Sequence, residues 1–107
     1  GARVLVLGVA YKPDVADVRE SPAVGVFEAL LARGATVAYH DPYVPRFRAA
    51  GQVWLSTQFT ALERYTAVIL LTAHRSVPYA PLVGSGTLVL DTCNALASYH
   101  APNVVPL

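Results

Sequence analysis

Apolar and polar positions along the chain carry two signatures: short continuous apolar runs and one stretch with helical spacing. Arg3-Val4-Leu5-Val6-Leu7-Gly8-Val9 is a β-branched and leucine run, the pattern of a strand buried on both faces. Ser21-Pro22 predicts an N-cap followed by proline at the first helical position, where a missing N–H costs nothing. From there Ala23, Val26, Phe27, Leu30 and Leu31 recur at three and four spacing, so a helix with that apolar face is expected up to Gly34. Further strands are predicted at Thr36–His40, Val53–Leu55, Ala67–Thr72, Thr87–Asp91 and Val104-Val105. Residues 44–51 read as a polar, proline-broken loop with a short helical turn. Residues 59–64 read as one or two turns of helix, and 77–83, with two prolines, as a short or irregular one.

Six short strands alternating with helices predict an α/β fold, a single domain over residues 1–107. Right-handed crossovers give a Rossmann-like three-layer sandwich with a mostly parallel sheet in the order 3-2-1-4-5-6. Ligands of such sheets bind outside the carboxyl ends of the strands, so the loops after Val9, Thr72 and Asp91 form the expected functional rim. Composition then narrows the classes. Hydrophobic residues make up 54% and charged residues 14%, which sets the chain apart from disordered sequences. Eight basic against seven acidic residues, with Lys12 the single lysine, leave no basic face for nucleic acid. No apolar run approaches the ~20 residues of a membrane span and no secretory leader pattern opens the chain, so a cytoplasmic location is expected. One cysteine makes neither an intramolecular disulfide nor a zinc ribbon.

The loop after the first strand departs from a dinucleotide-binding turn. Against Gly-x-Gly-x-x-Gly it reads Gly8-Val9-Ala10-Tyr11-Lys12-Pro13, keeping only the first glycine. A Rossmann relative without its own pyrophosphate site is expected. The loop instead offers Lys12 as a point charge, Arg19 as a bidentate fork and Tyr11 as an apolar face with a polar tip. The plainer reading is that Asp14, Asp17, Arg19 and Glu20 solvate the loop and cap the helix. His40, His74 and His100 have no metal-ligand spacing, although His74 lies on the rim where a polar contact can form. Cys93 reads as a small buried apolar group, Asp41-Pro42 as turn chemistry, and Trp54 as core and docking surface.

The run from Gly8 to Pro22, Gly8-Val9-Ala10-Tyr11-Lys12-Pro13-Asp14-Val15-Ala16-Asp17-Val18-Arg19-Glu20-Ser21-Pro22, closely resembles the motif opening the C-terminal, UDP-binding domain of the UDP-glucose/GDP-mannose dehydrogenase family. His40-Asp41-Pro42-Tyr43-Val44-Pro45, Leu71-Thr72-Ala73-His74 and Leu90-Asp91-Thr92-Cys93-Asn94 resemble its later strand ends, in order. The stretch Tyr39 to Pro45 leans toward members acting on UDP-N-acetylhexosamines rather than UDP-glucose. The resemblance implies an NAD-dependent parent that oxidises a sugar C6 alcohol to a carboxylate. It implies NAD bound mainly by an N-terminal domain, a central helical region, a cysteine nucleophile outside this chain, and a homo-oligomer. Tyr11 and Lys12 are implied to contact the UDP-sugar, and Arg19 to reach NAD across the cleft. Cys93 stands where the family usually places a substrate-reaching arginine, with Arg75 and Asn94 the nearest substitutes on the rim. No catalytic residue and no metal site is expected within the chain. The alternative is a free-standing Rossmann-like nucleotide-binding or oligomerisation module without catalysis.

Overall fold

The computed structural model describes residues 1–19 and 21–107; Glu20 of the opening motif lies outside the described residues. In chain order the regular elements are β1 (Arg3–Leu7), α1 (Ala23–Ala32), β2 (Thr36–His40), β3 (Arg46–Ala49), β4 (Gln52–Leu55), β5 (Ala67–Leu70), β6 (Leu88–Asp91) and β7 (Val104–Pro106). Five strands make one all-parallel sheet in the order β2-β1-β5-β6-β7, and β3 and β4 pair separately. The α/β Rossmann-like class is therefore as expected.

Two details of the expected topology are corrected. The strand predicted at Val53–Leu55 is not the third strand of the main sheet, and the expected loop at 44–51 contains a strand. Arg46-Phe47-Arg48-Ala49 alternates exposed and buried and pairs antiparallel with β4. Ala50 and Gly51 join them with φ of 52° and 73°, the two left-handed residues that a tight primed hairpin turn requires. The second correction concerns helices. Among the described residues α1 is the one α-helix, and Leu62–Arg64, Ala80–Leu82 and Ala97–Tyr99 are single 3₁₀ turns. Pro81 and the short spans between strands leave no room for longer helices there.

Period-two alternation along β1 divides the core. Val6 faces α1 and the hairpin, packing with Ala23, Phe27, Tyr39 and Phe47. Leu5 and Leu7 face the other side with Val68, Leu70, Leu82, Val89 and Leu96. Phe27 meets Phe47, Trp54 and Tyr39 edge to face at centroid distances of 5.1, 5.3 and 6.2 Å. Burying one such ring stabilises by about 1.5–3 kcal/mol before its aromatic contacts are counted. Trp54 is thus half core, and its indole N–H donates to the Ala49 carbonyl. Of the expected helix stripe, Val26 stays half-buried outside this cluster while Val24 packs against it.

The helix ends follow their sequence signals. The Ser21 hydroxyl accepts the Ala23 N–H at 3.1 Å, but the helix starts one position later than expected, with Pro22 rather than Ser21 as its N-cap and Ala23 as its first residue. Gly34 has φ +84°, and its N–H and that of Ala35 donate to the Leu31 and Leu30 carbonyls. This double closure satisfies carbonyls the helix would otherwise leave open. At the far edge, β7 is three residues long; its Val104 N–H donates to Ala101, and the Leu107 N–H just past it to Asp91.

Candidate functional site

The carboxyl ends of β1, β5 and β6 lie side by side, so their loops share one rim. Gly8 opens the first loop. Its φ of +83° suits glycine, and a Cβ there would run into the Thr72 carbonyl. The chain then closes on itself, the Tyr11 N–H donating to the Asp17 carbonyl at 2.6 Å. Tyr11 and Lys12 project outward and are exposed.

Beneath this loop lies a polar cluster. Asp41, just past β2, is fully buried, and one of its carboxylate oxygens accepts the N–H groups of Val9 (2.9 Å) and Ala10 (3.2 Å). The other accepts the Tyr43 N–H, so the expected turn chemistry is also present. His74 Nε2 bridges both oxygens at 2.9 and 3.0 Å, with both side chains closed to solvent. His74 Nδ1 accepts the Asp14 N–H at 2.8 Å, which fixes the ring as the tautomer protonated on Nε2. The His74 backbone N–H donates to the Tyr79 hydroxyl, and the Thr72 hydroxyl donates to the Ala10 carbonyl. Burial pushes the Tyr79 phenol up to about 12, with smaller contributions from the nearby Asp41, Cys93 and Asp14.

Asp41 and His74 are the residues whose joint role sequence reasoning missed. Asp41 lies just past β2 and His74 four residues past β5, 33 positions apart, and no local spacing links a buried acid to its imidazole. The N–H groups that Asp41 takes are those a glycine-rich turn would offer to a pyrophosphate. An internal carboxylate fills that place here.

The charged loop residues are arranged in exposed pairs. Arg19 forks onto Asp17, with Nε and the terminal nitrogen both donating, the shorter contact 2.8 Å. That hydrogen bonding holds the Asp17 carboxyl down at about 2. Lys12 lies close enough to Asp17 to lower it further, yet forms no ion pair among the described residues. Arg75, beyond β5, donates to the Asp14 carboxylate at 2.8 Å and tethers the first loop to the second. It is thereby engaged by Asp14 rather than aimed at the position of Cys93.

Cys93 is corrected from a buried apolar group to an exposed residue. Its sulfur leans toward the Leu70 carbonyl (3.9 Å) and the Asp91 carboxylate (3.6 Å). Desolvation of the sulfur, then the Asp91 charge, pushes the thiol above its ordinary value. Asn94 beside it is exposed with φ +61°. Asp91 is buried and accepts the N–H groups of Cys93, Ala95 and Leu96, shaping this third loop. A cavity of about 300 Å³ is lined by Asp91, Leu96, His100 and Val104 among others, at the β6–β7 end of the sheet. No group of three metal-ligating side chains occurs among the described residues, and no described helix is long and apolar enough to cross a membrane.

A model of the UDP-glucose/GDP-mannose dehydrogenase family, UDP binding domain, matches residues 5–98. The chain is 38% identical over 92 residues to a UDP-glucose 6-dehydrogenase of Pseudomonas aeruginosa, covering 86% of this chain and 18% of that protein. It is 35% identical over 72 residues to a UDP-N-acetyl-D-mannosamine dehydrogenase of Methanococcus maripaludis, covering 67% and 16%. Among solved structures, a UDP-glucose dehydrogenase from Pyrobaculum islandicum superposes with a TM-score of 0.63 at 34% identity over 85% of this chain and 22% of that one. The UDP-N-acetyl-mannosamine dehydrogenase of Staphylococcus aureus gives 0.65 at 26% identity over 99% and 25%. The chain therefore spans a quarter or less of the length of each of these relatives.

Proposed function

This chain belongs to the UDP-glucose/GDP-mannose dehydrogenase family, as its UDP binding domain, and from that premise we propose that it forms the UDP-sugar-binding wall of an NAD-dependent UDP-sugar 6-dehydrogenase. The observation that carries the reading is the rim loop whose backbone is pinned from below while Tyr11 and Lys12 stay exposed above it. A rigid backbone with an outward ammonium suits a pyrophosphate, because little ordering remains to be done on binding. Tyr11 and Lys12 contact the UDP-sugar, and Cys93 lines the far edge of the same rim. The sugar is a UDP-N-acetylhexosamine or UDP-glucose. Other partners are the remaining domains of the same polypeptide, within a homo-oligomer.

NAD does not fit the chain's own first loop, since Asp41 already takes the Val9 and Ala10 N–H groups. We assign this chain one contact to NAD held by another domain, through the exposed guanidinium of Arg19. The chain binds and orients; oxidation at C6 belongs to the whole protein.

In the full-length dehydrogenase, Lys12→Ala should weaken UDP-glucose roughly 10- to 150-fold, the loss of one charge-assisted contact of about 1.5–3 kcal/mol. Arg19→Ala should leave UDP-glucose alone and weaken NAD over a similar range. Calorimetric titration of both ligands into both variants checks this. Affinities within about twofold of wild type throughout would return the loop to a solvated helix cap.

A further inference from the structure

We infer that Asp41 and His74 are a positioning pair that holds the Tyr11–Lys12 loop in its UDP-sugar-binding shape, and that the pair works only while the His74 ring is neutral. The inference rests on the proposed role of Tyr11 and Lys12 but concerns what holds them. The two ring nitrogens have opposite tasks. Nε2 donates to the Asp41 carboxylate, which in turn fixes Val9 and Ala10 at the start of the loop. Nδ1 accepts from Asp14 near its far end. Tyr11 and Lys12 lie between those two anchors, so one imidazole spans the segment that carries them.

Protonation would put a proton on Nδ1, where the Asp14 N–H already points from 2.8 Å. Two donors would then face each other in a place closed to water, and one must leave. Because the Asp41 side keeps its partner, the loop gives way at Asp14. The groups around the ring are few. Asp41 faces Nε2 from just past β2, and the Asp14 carboxylate is turned to Arg75. The Tyr43 ring lies 4.7 Å from the imidazole, and the Tyr79 hydroxyl accepts from the His74 backbone. Arg75, next in sequence, is neutralised by Asp14. The Asp14 carboxylate interacts with the ring as well, but its hydrogen bonds go to Arg75, and Asp41 holds the start of the loop rather than its Asp14 end.

The test has a wild-type arm and a variant arm. Nitrogen-15 spectra of the imidazoles and amides are followed from about pH 7.5 to about pH 5.5. The expected result is a bare Nδ1 at the upper end, and Tyr11, Lys12 and Asp14 amides that shift together with any protonation of that nitrogen. In the full-length dehydrogenase, UDP-glucose, whose pyrophosphate diester does not titrate here, should bind about threefold or more weakly at the lower end.

His74→Asn puts a non-titrating carbonyl oxygen near the Nδ1 position. It drops the donor toward Asp41, so it should cost about tenfold in neutral-pH affinity, and it should abolish the pH dependence. His74→Gln retains only a donor toward Asp41 and should lose about tenfold at neutral pH. A protonated Nδ1 at the upper end, a ring protonation that leaves the three amides unmoved, or an Asn variant with the wild-type pH profile would each overturn the inference. Absence of UDP-glucose binding by wild type at neutral pH, with the amides still following His74, would sink the functional reading and leave the pair standing.

Discussion

Asp41 and Asp91 stand in equivalent places, one just past the carboxyl end of β2 and the other ending β6, and both are buried. Each accepts backbone N–H groups and so shapes a rim loop. They differ in reach. Asp91 serves its own loop, taking Cys93, Ala95 and Leu96 within five residues. Asp41 serves a loop 32 positions away, and leans on His74 from a third strand end. The local acid makes a turn that folds with its own segment. The distant one can work only after β1, β2 and β5 have paired, so it couples the binding loop to the integrity of the sheet.

Removing each acid should expose this difference. Asp41→Ala leaves two buried N–H groups and an imidazole without a partner, with no solvent access to replace it. A loss of about 3–5 kcal/mol in denaturant unfolding is expected, and a loss below about 1 kcal/mol would mean the cluster repacks freely. Asp91→Ala should cost less, about 1–2 kcal/mol, because Cys93 and Ala95 are exposed and water can take over. Amide exchange should then quicken only across 92–96, whereas Asp41→Ala should loosen residues 9–14 as well. Equal costs and equal spread would erase the distinction between local and distant acids.

A smaller effect sharpens the picture at Cys93. Its thiol is raised by desolvation and by Asp91, so at neutral pH it should alkylate more slowly than a free cysteine despite its exposure. Asp91→Asn keeps an acceptor and removes the negative charge, and should speed iodoacetamide labelling at neutral pH a few-fold. Unchanged rates would leave desolvation as the whole cause.

The same contrast explains what the sequence made legible. Elements written in local code were readable: the apolar run of β1, the Ser21 and Gly34 ends of α1, and the runs of β2, β5 and β6. The β3–β4 hairpin was not. Two arginines and Pro45 make Arg46–Ala49 look like a polar loop, and Ala50-Gly51 lacks the Asn-Gly signature of its turn. Its strand character comes from Phe47 and Ala49 packing onto α1, which is tertiary information. At the rim, the Tyr11–Lys12 loop was legible because its residues lie together. Asp41-Pro42 signals a turn, and the Tyr43 N–H bond two residues on is the part of its role that signal covers. Its bonds to Val9, Ala10 and His74 exist only once the strands are side by side.

The edge strand β7 has a consequence for crowded solutions. In a parallel ladder alternate residues turn their N–H groups outward, and the N–H of Leu107, just past the strand, points inward to Asp91. The outward positions of β7 are then Val104, whose N–H is spent on Ala101, and Pro106, which has none. An incoming strand would find carbonyls there but no donor, and half a ladder is a poor template. Although Val105 and Leu107 are exposed and apolar, this border is capped against fibril-like growth by its backbone rather than by surface charge.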